Sequence, residues 1–295
     1  YYGKNYYFDN IGKMTNKGVE LSAVWNDLRA NWGYSINGSV SFNRNKIDYM
    51  AEVAPAYSYN AQTGRPYGTL IGLVADGFYD VDDFNADGSL KADLPQPMFG
   101  AVQPGDIKYR DLDRSGFVDQ NDVTKVGKSP YPESTYSLGA AFNYRGFDFS
   151  FLLQGIAGAS FNLLDNAVQT RAFVDNGNVY PIARGAWAYY PEQGIDTRAT
   201  ATYPRLSLQD NSNNYRNSTL WKRSGDFLKL RNVELGYTFA QPSLSMAGIS
   251  KIRIYLSGVN LLTVSRLMRD YDIDPEILSG HPALKSYNLG LTVTF

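Results

Sequence analysis

The chain has 295 residues, with 28 Lys+Arg against 29 Asp+Glu, one His and no Cys. Near-neutral charge removes the basic excess a polyanion-binding surface needs, so nucleic acid is not an expected partner. The lack of thiols excludes disulfides and thiolate metal sites. Aromatic residues reach 14%, and Tyr alone accounts for 23 residues. That surplus suits either a sugar-facing surface or the aromatic girdles of a membrane barrel.

No run of about 18 apolar residues is present, so no transmembrane helix is expected. The first residues, Tyr1, Tyr2, Gly3 and Lys4, show none of the regions of a signal peptide. The dominant pattern is an alternation of period 2, the mark of half-buried strands. It starts at residues 18–26 (Val19, Leu21, Ala23, Trp25) and 33–44 (Tyr34, Ile36, Val40, Phe42). It returns at 134–144 (Tyr136, Leu138, Ala140, Phe142, Tyr144) and 147–155 (Phe147, Phe149, Phe151, Leu153). The last three stretches are 227–239 (Val233, Leu235, Tyr237, Phe239), 251–261 (Ile252, Ile254, Leu256) and 285–295 (Tyr287, Leu289, Leu291, Val293, Phe295). Opposite faces carry Ser, Asn, Gly, Thr, Glu and Lys. The final stretch matches the roughly 9–11 residues that a tilted strand needs to cross a bilayer.

The connections sharpen this reading. Residues 27–32, the Arg145 and Gly146 pair and 240–250 are short, whereas 45–133 and 156–226 are long and 262–284 is intermediate. Short and long alternate along the chain, which fits the periplasmic turns and extracellular loops of outer-membrane barrels. Soluble sandwiches have no reason to segregate loop lengths in this way. The expected fold is therefore all-β, a transmembrane antiparallel β-barrel portion with long extracellular loops at 45–133, 156–226 and 262–284. Seven strands left open in lipid would expose unpaired backbone groups, so further barrel strands are required, from the same chain or a companion chain.

One motif carries chemistry. In residues 111–122, Asp111, Asp113 and Ser115 stand at positions 1, 3 and 5 of a calcium loop, with Gly116 at the sharp turn. Phe117 would offer its carbonyl, Asp119 occupies position 9 and Asp122 closes the ring at position 12. Asp122 stands where Glu is usual, a shorter arm that admits Mg²⁺ as well as Ca²⁺. No helical pattern flanks the loop, so a structural clip is expected instead of a switch. Asp83 to Gly88 begins similarly but places Lys91 and Leu94 at ligand positions, and reads as a turn.

Catalysis has no visible centre. His281 lies beside Pro282, and neither a nucleophile elbow nor a phosphate-binding loop is present. Asp270, Asp272 and Asp274 before Pro275 read as a solvated acidic turn. The polar-aromatic segments 187–190 and 213–221 suit either loop packing or stacking on sugars.

Several segments, in order, resemble one family. Gly105-Asp106-Ile107-Lys108-Tyr109-Arg110-Asp111-Leu112-Asp113, running through Ser115-Gly116-Phe117-Val118-Asp119, resembles the "GDIKYKDLNGDGVID" signature of SusC-like TonB-dependent transporters. Residues 121–139 resemble that family's continuation. Phe147-Asp148-Phe149-Ser150 with Leu153-Gln154-Gly155 is similar to its "FDLS…QG" strand. Asp226-Phe227-Leu228-Lys229-Leu230-Arg231-Asn232-Val233 with Leu235-Gly236-Tyr237 is similar to "YLRLRNVTLGY", and residues 257–261 and 285–295 complete the series.

The resemblance implies the C-terminal part of a Bacteroidota outer-membrane barrel of about 22 strands. It also implies an N-terminal plug, absent from this sequence, through which TonB acts, and a SusD-like surface lipoprotein as lid. The expected activity is uptake of an oligosaccharide or peptide, with no enzymatic step. The alternative reading of the residues is a soluble, calcium-stabilised carbohydrate-binding β domain, with a glycoside hydrolase fragment as a further rival.

Overall fold

Backbone pairing, once started by an alternating strand, continues wherever main-chain donors and acceptors stay in register, whatever the side chains are. In the computed structural model, which describes residues 10–239 and 248–295, the strands accordingly outrun the apolar alternation. Strand β1 spans Gly12–Leu28, β2 Trp32–Met50, β3 Ser134–Tyr144 and β4 Phe147–Ala157. Strand β5 spans Phe227–Phe239, β6 Lys251–Ser265 and β7 Ser286–Thr294. The starts and ends expected at 18, 44 and 261 follow side-chain pattern alone. Polar stretches such as Lys13 to Lys17 add strand without adding alternation.

These seven strands form one antiparallel sheet in chain order, β1 to β7, so β1 and β7 are its edges. The β3–β4 connection is the two-residue turn Arg145-Gly146, with φ of 46° and 88°. Positive φ at both positions is the twist-matched hairpin turn that favours glycine. A Cβ on Gly146 would meet the Thr238 carbonyl at 2.8 Å. The β4–β5 and β5–β6 ladders both shift register around Arg231, a bulge accompanied by Asn260 at φ 54°.

Register sorts the side chains into two faces. Tyr34, Phe142, Phe149, Leu235, Leu256 and Leu289 lie directly opposite one another from β2 to β7. One step nearer the short turns runs Trp32, Tyr144, Phe147, Tyr237, Ile254 and Leu291, whose first four members are aromatic. This face is open: Tyr287 is 70% and Leu289 79% exposed, and Leu21, Trp25, Phe142 and Leu256 are exposed with them. The other face carries Ser35, Ala141, Ser150, Glu234, Ser257 and Asn288 in one row. A sheet whose apolar face is exposed inverts the rule for soluble domains.

The polar face is tied by ions. Arg253 bonds Asp148 through Nε at 3.0 Å and Glu234 through Nη2 at 2.6 Å. Gly236 leaves the necessary room, since a Cβ there would stand 2.6 Å from the Arg253 guanidinium and the Asp148 carboxylate.

The contacts divide the chain into two compact units. The sheet unit comprises Gly18–Asn43, Tyr131–Ser160 and Arg223–Phe295. The second comprises Arg44–Pro130 and Phe161–Lys222 with the start of the chain to Lys17. Here the structure departs from the expectation of loops at 45–133 and 156–226. Those stretches build a core of their own around Leu73, Tyr79, Ile107, Tyr109, Tyr203 and Trp221, all almost fully buried. Short ladders hold it, Ile71–Gly72 with Thr124–Lys125 and Ala75–Phe78 with Ile107–Tyr109. The alternation test misses them because each ladder is two to four residues long. Among the described residues, no helix is long and apolar enough to cross a membrane.

Candidate functional site

The 111–122 loop is delivered by two short strands. Ile107–Tyr109 leads into Asp111, and Phe117–Val118 pairs in parallel with Gln96–Pro97. Arg114 and Gly116 turn the chain at φ 61° and 83°, the left-handed region expected of Gly116 but taken also by an arginine. The 3-10 turn Gln120–Asp122 then returns Asp122 toward Asp111.

Asp111, Asp113 and Asp122 converge, with one carboxylate oxygen of each lying within 4.8 Å of the others. Asp111 accepts the Gly116 amide at 2.8 Å and the Ser115 amide at 3.2 Å. Asp113 accepts the Ser115 amide at 3.0 Å. Asp122 is solvent-excluded and stitches both ends of the loop, accepting the Leu112 amide at 2.6 Å and the Asp119 amide at 2.8 Å. Ser115 Oγ lies 3.2 Å from the Phe117 carbonyl, so both oxygens proposed as donors are adjacent. Asp119 instead caps the turn, accepting the Asn121 amide at 2.6 Å.

The electrostatics are those of an under-compensated carboxylate cluster. Burial pushes the Asp122 carboxyl above its ordinary value, outweighing the three amides that favour its charge, and Asp113 adds repulsion. Asp113 is held below its ordinary value, chiefly by the Ser115 hydroxyl and amide. Oxygen-only donors of this kind suit a hard divalent cation, and each carboxylate oxygen bonded to one amide retains a second lone pair. The donor set therefore fits Ca²⁺ or Mg²⁺.

Two neighbours were not legible in the twelve-residue motif. The Tyr57 hydroxyl bonds Asp113, which raises the phenol's own pKa. Asn60 donates to the Asn121 and Val123 carbonyls at 2.9 and 2.7 Å. No spacing rule links residues so far upstream to a local loop.

Behind this loop, Asp106 is fully buried and meets Arg205 Nε at 2.7 Å, the Asn214 amide at 2.9 Å and the Asn211 amide at 3.1 Å. Asn214 also accepts the Ile107 amide, and the Tyr109 hydroxyl donates to the Asn213 carbonyl. Much of segment 213–221 is thus core, with Asn213, Asn214, Ser218 and Trp221 buried: Trp221 donates to the Asn214 carbonyl at 2.7 Å. In 187–190, Trp187 is buried, whereas Tyr190 is exposed.

In the sheet unit the acidic turn is not solvated throughout. Lys229, 1% exposed, donates to Asp274 at 2.7 Å and to Glu276 at 2.6 Å, and Arg231 also binds Glu276. The helix Arg266–Tyr271, capped by Ser265, carries the chain back to this cluster. Burial alone would raise Asp274 and Glu276. The Lys229 and Arg231 cations and the Glu276 and Ala283 amides outweigh it, leaving both carboxyls below their ordinary range. His281 bonds its neighbour's carbonyl and is exposed.

No family model matches the sequence. Along its length the chain is similar to TonB-dependent receptors of Formosa agariphila. It is 24% identical to receptor P3 over 330 residues and 27% identical to P26 over 321, covering 100% and 99% of this chain. It spans 30% of the length of either relative. Among solved structures it is similar to the RagAB peptide transporter, with a TM-score of 0.64 at 20% identity over 97% of this chain and 30% of that one. The RagAB peptide importer in its open-open state gives a TM-score of 0.63. The resemblance drawn from the motifs is borne out, and so is the all-β, barrel-type fold. The named relatives are receptors and importers.

Proposed function

We propose that this chain is part of the barrel of a SusC-like TonB-dependent transporter that imports nutrients across the outer membrane. The observation that carries this reading is the apolar face of the sheet, continuous in register from β2 to β7 and exposed. Water would penalise each such side chain by about 1.5–3 kcal/mol relative to burial, whereas lipid would not. The aromatic row beside the Arg145-Gly146 turn fits the interfacial girdle at the periplasmic side. The polar face, with its Arg253, Asp148 and Glu234 cluster, would then line the barrel interior. The edge strands would pair with the remaining barrel strands, and the 44–130 and 161–222 unit would lie outside the cell, available to a SusD-like lipoprotein lid. TonB would act through an N-terminal plug, and the cargo would be an oligosaccharide or a peptide.

The exposed apolar face argues against the soluble carbohydrate-binding alternative, which would need that face buried. Within the loop unit, Asp111, Asp113 and Asp122 with Ser115 and the Phe117 carbonyl would hold a Ca²⁺ or Mg²⁺ ion, Asp119 contributing from its capping position. The ion supplies positive charge that neutralises the cluster. The residues themselves fix the loop against Tyr57 and Asn60. The test is fractionation of the full-length protein followed by uptake assay. Recovery in the outer membrane with loss of nutrient uptake on gene deletion is expected. Recovery in the supernatant after membrane pelleting overturns the reading.

A further inference from the structure

In the loop unit, beside the 111–122 loop that contributes Gln120, a cavity of about 470 Å³ opens between the 71–73, 99, 120–123 and 212–217 segments. Its size falls within the range of small-ligand sites. Its apolar lining includes buried Leu73, with Ile71 and Val123. One wall is the Arg216 guanidinium laid over the Phe99 ring, 3.7 Å from its centroid. Gln120 and Asn217 are exposed at the opening.

Arg216 is the unusual member. Its Nε is buried and makes no hydrogen bond, and no carboxylate is ion-paired with it among the described residues. Of the buried carboxylates of this unit, Asp106 is taken by Arg205 at 2.7 Å, and Asp122 accepts the Leu112 and Asp119 amides. A desolvated donor on a permanent cation is costly until an acceptor reaches it. Stacking on Phe99 fixes the guanidinium plane, which presents its remaining donors as a preset fork. The backbone here is also fixed, since Leu73 donates to the Asn217 carbonyl at 2.8 Å and a Cβ on Gly72 would collide with that carbonyl.

We propose that this cavity binds a small ligand bearing one carboxylate on a partly apolar body. The carboxylate would sit on Arg216, the body against Leu73, Ile71 and Val123. With a single cation in the lining, a monoanion is matched and a phosphate dianion is left half compensated. A peptide C-terminus and a uronic acid share this chemistry. The site stands on its own geometry, so binding here and nutrient import can fail independently.

The test is calorimetric titration of the full-length protein in detergent with N-acetyl-leucine against its amide, and with methyl glucuronide against methyl glucoside. At least one acid should bind about tenfold more tightly than its neutral counterpart, the scale of one charge-assisted bidentate pair. The first pair responding identifies a peptide-type ligand, the second a uronate. Arg216→Gln should abolish the difference, while Arg216→Lys, which keeps charge but loses the fork, should retain part of it. Equal binding of acid and neutral forms in both pairs overturns the proposal, as does wild-type acid binding by Arg216→Gln. Should Arg216→Gln fail to fold, the acid-against-neutral contrast on the unaltered protein decides alone.

Discussion

Asp106 and Asn214 are 108 residues apart in sequence, yet the Asn214 amide donates to Asp106 Oδ1 at 2.9 Å with both residues shut off from solvent. This bond joins the two long connections of the sheet, 45–133 and 156–226, into one folded body. Arg205, at 2.7 Å from the same oxygen, balances the charge. Asp106→Ala should leave a half-buried cation and orphaned amides, destabilising this unit by about 3–5 kcal/mol. Limited proteolysis should then cut within both connections while β1 to β7 remain protected. Unchanged cleavage would show that the bond is dispensable.

Asp111, Asp113 and Asp122 make the next prediction. Added Ca²⁺ should protect the 111–122 loop of the wild-type protein from protease, and chelation should remove the protection. Asp111→Asn with Asp113→Asn should weaken the Ca²⁺ dependence by at least about tenfold, because ligand charge sets affinity in such loops. Equal protection of variant and wild type by Ca²⁺ would remove the ion from the account.

Lys229 supplies a third test, because it is buried between Asp274 and Glu276. Lys229→Met should cost about 3–5 kcal/mol by leaving two carboxylates facing one another beside Arg231. Both carboxyls titrate below their ordinary values. Their stabilisation is therefore complete above about pH 5 and is lost as the pH falls through the depressed values. Hydrogen exchange at residues 272–283 should rise on acidification below about pH 4 in the wild type. In Lys229→Met it should already be fast at neutral pH.

On the sheet, Leu256 and Leu289 face each other on the exposed apolar side. Leu256→Arg should lower folding stability in lipid vesicles by about 2–4 kcal/mol if its position is near the bilayer midplane. Ser257→Asn, one residue along on the polar face, should change it by less than about 0.5 kcal/mol. Denaturant titration in vesicles separates the two. Equal effects would mean that the face is not in lipid.

Local pattern was enough for the strands and for the convergence of Asp111, Asp113 and Asp122. Leu289 and Leu291 announce their shared face by spacing alone, because a strand places alternate residues on one side. Asp111, Asp113 and Asp122 announce theirs because a twelve-residue loop is short enough for sequence distance to stand for spatial distance. The extension of β1 back to Gly12 and of β6 on to Ser265 was hidden, since backbone pairing needs no apolar signal.

What the sequence by itself determined was the alternation, and with it the all-β class, the sidedness of the sheet and the order of long and short connections. Only the tertiary structure decided that the long connections fold together around Asp106, that Asp274 is buried on Lys229, and that Arg216 lies across Phe99 with no ion-paired carboxylate among the described residues. The physical reason is range. Side-chain periodicity is fixed by covalent geometry over a few residues, whereas a buried ion pair or an unpaired guanidinium depends on which distant segment reaches it once the chain has closed its loops.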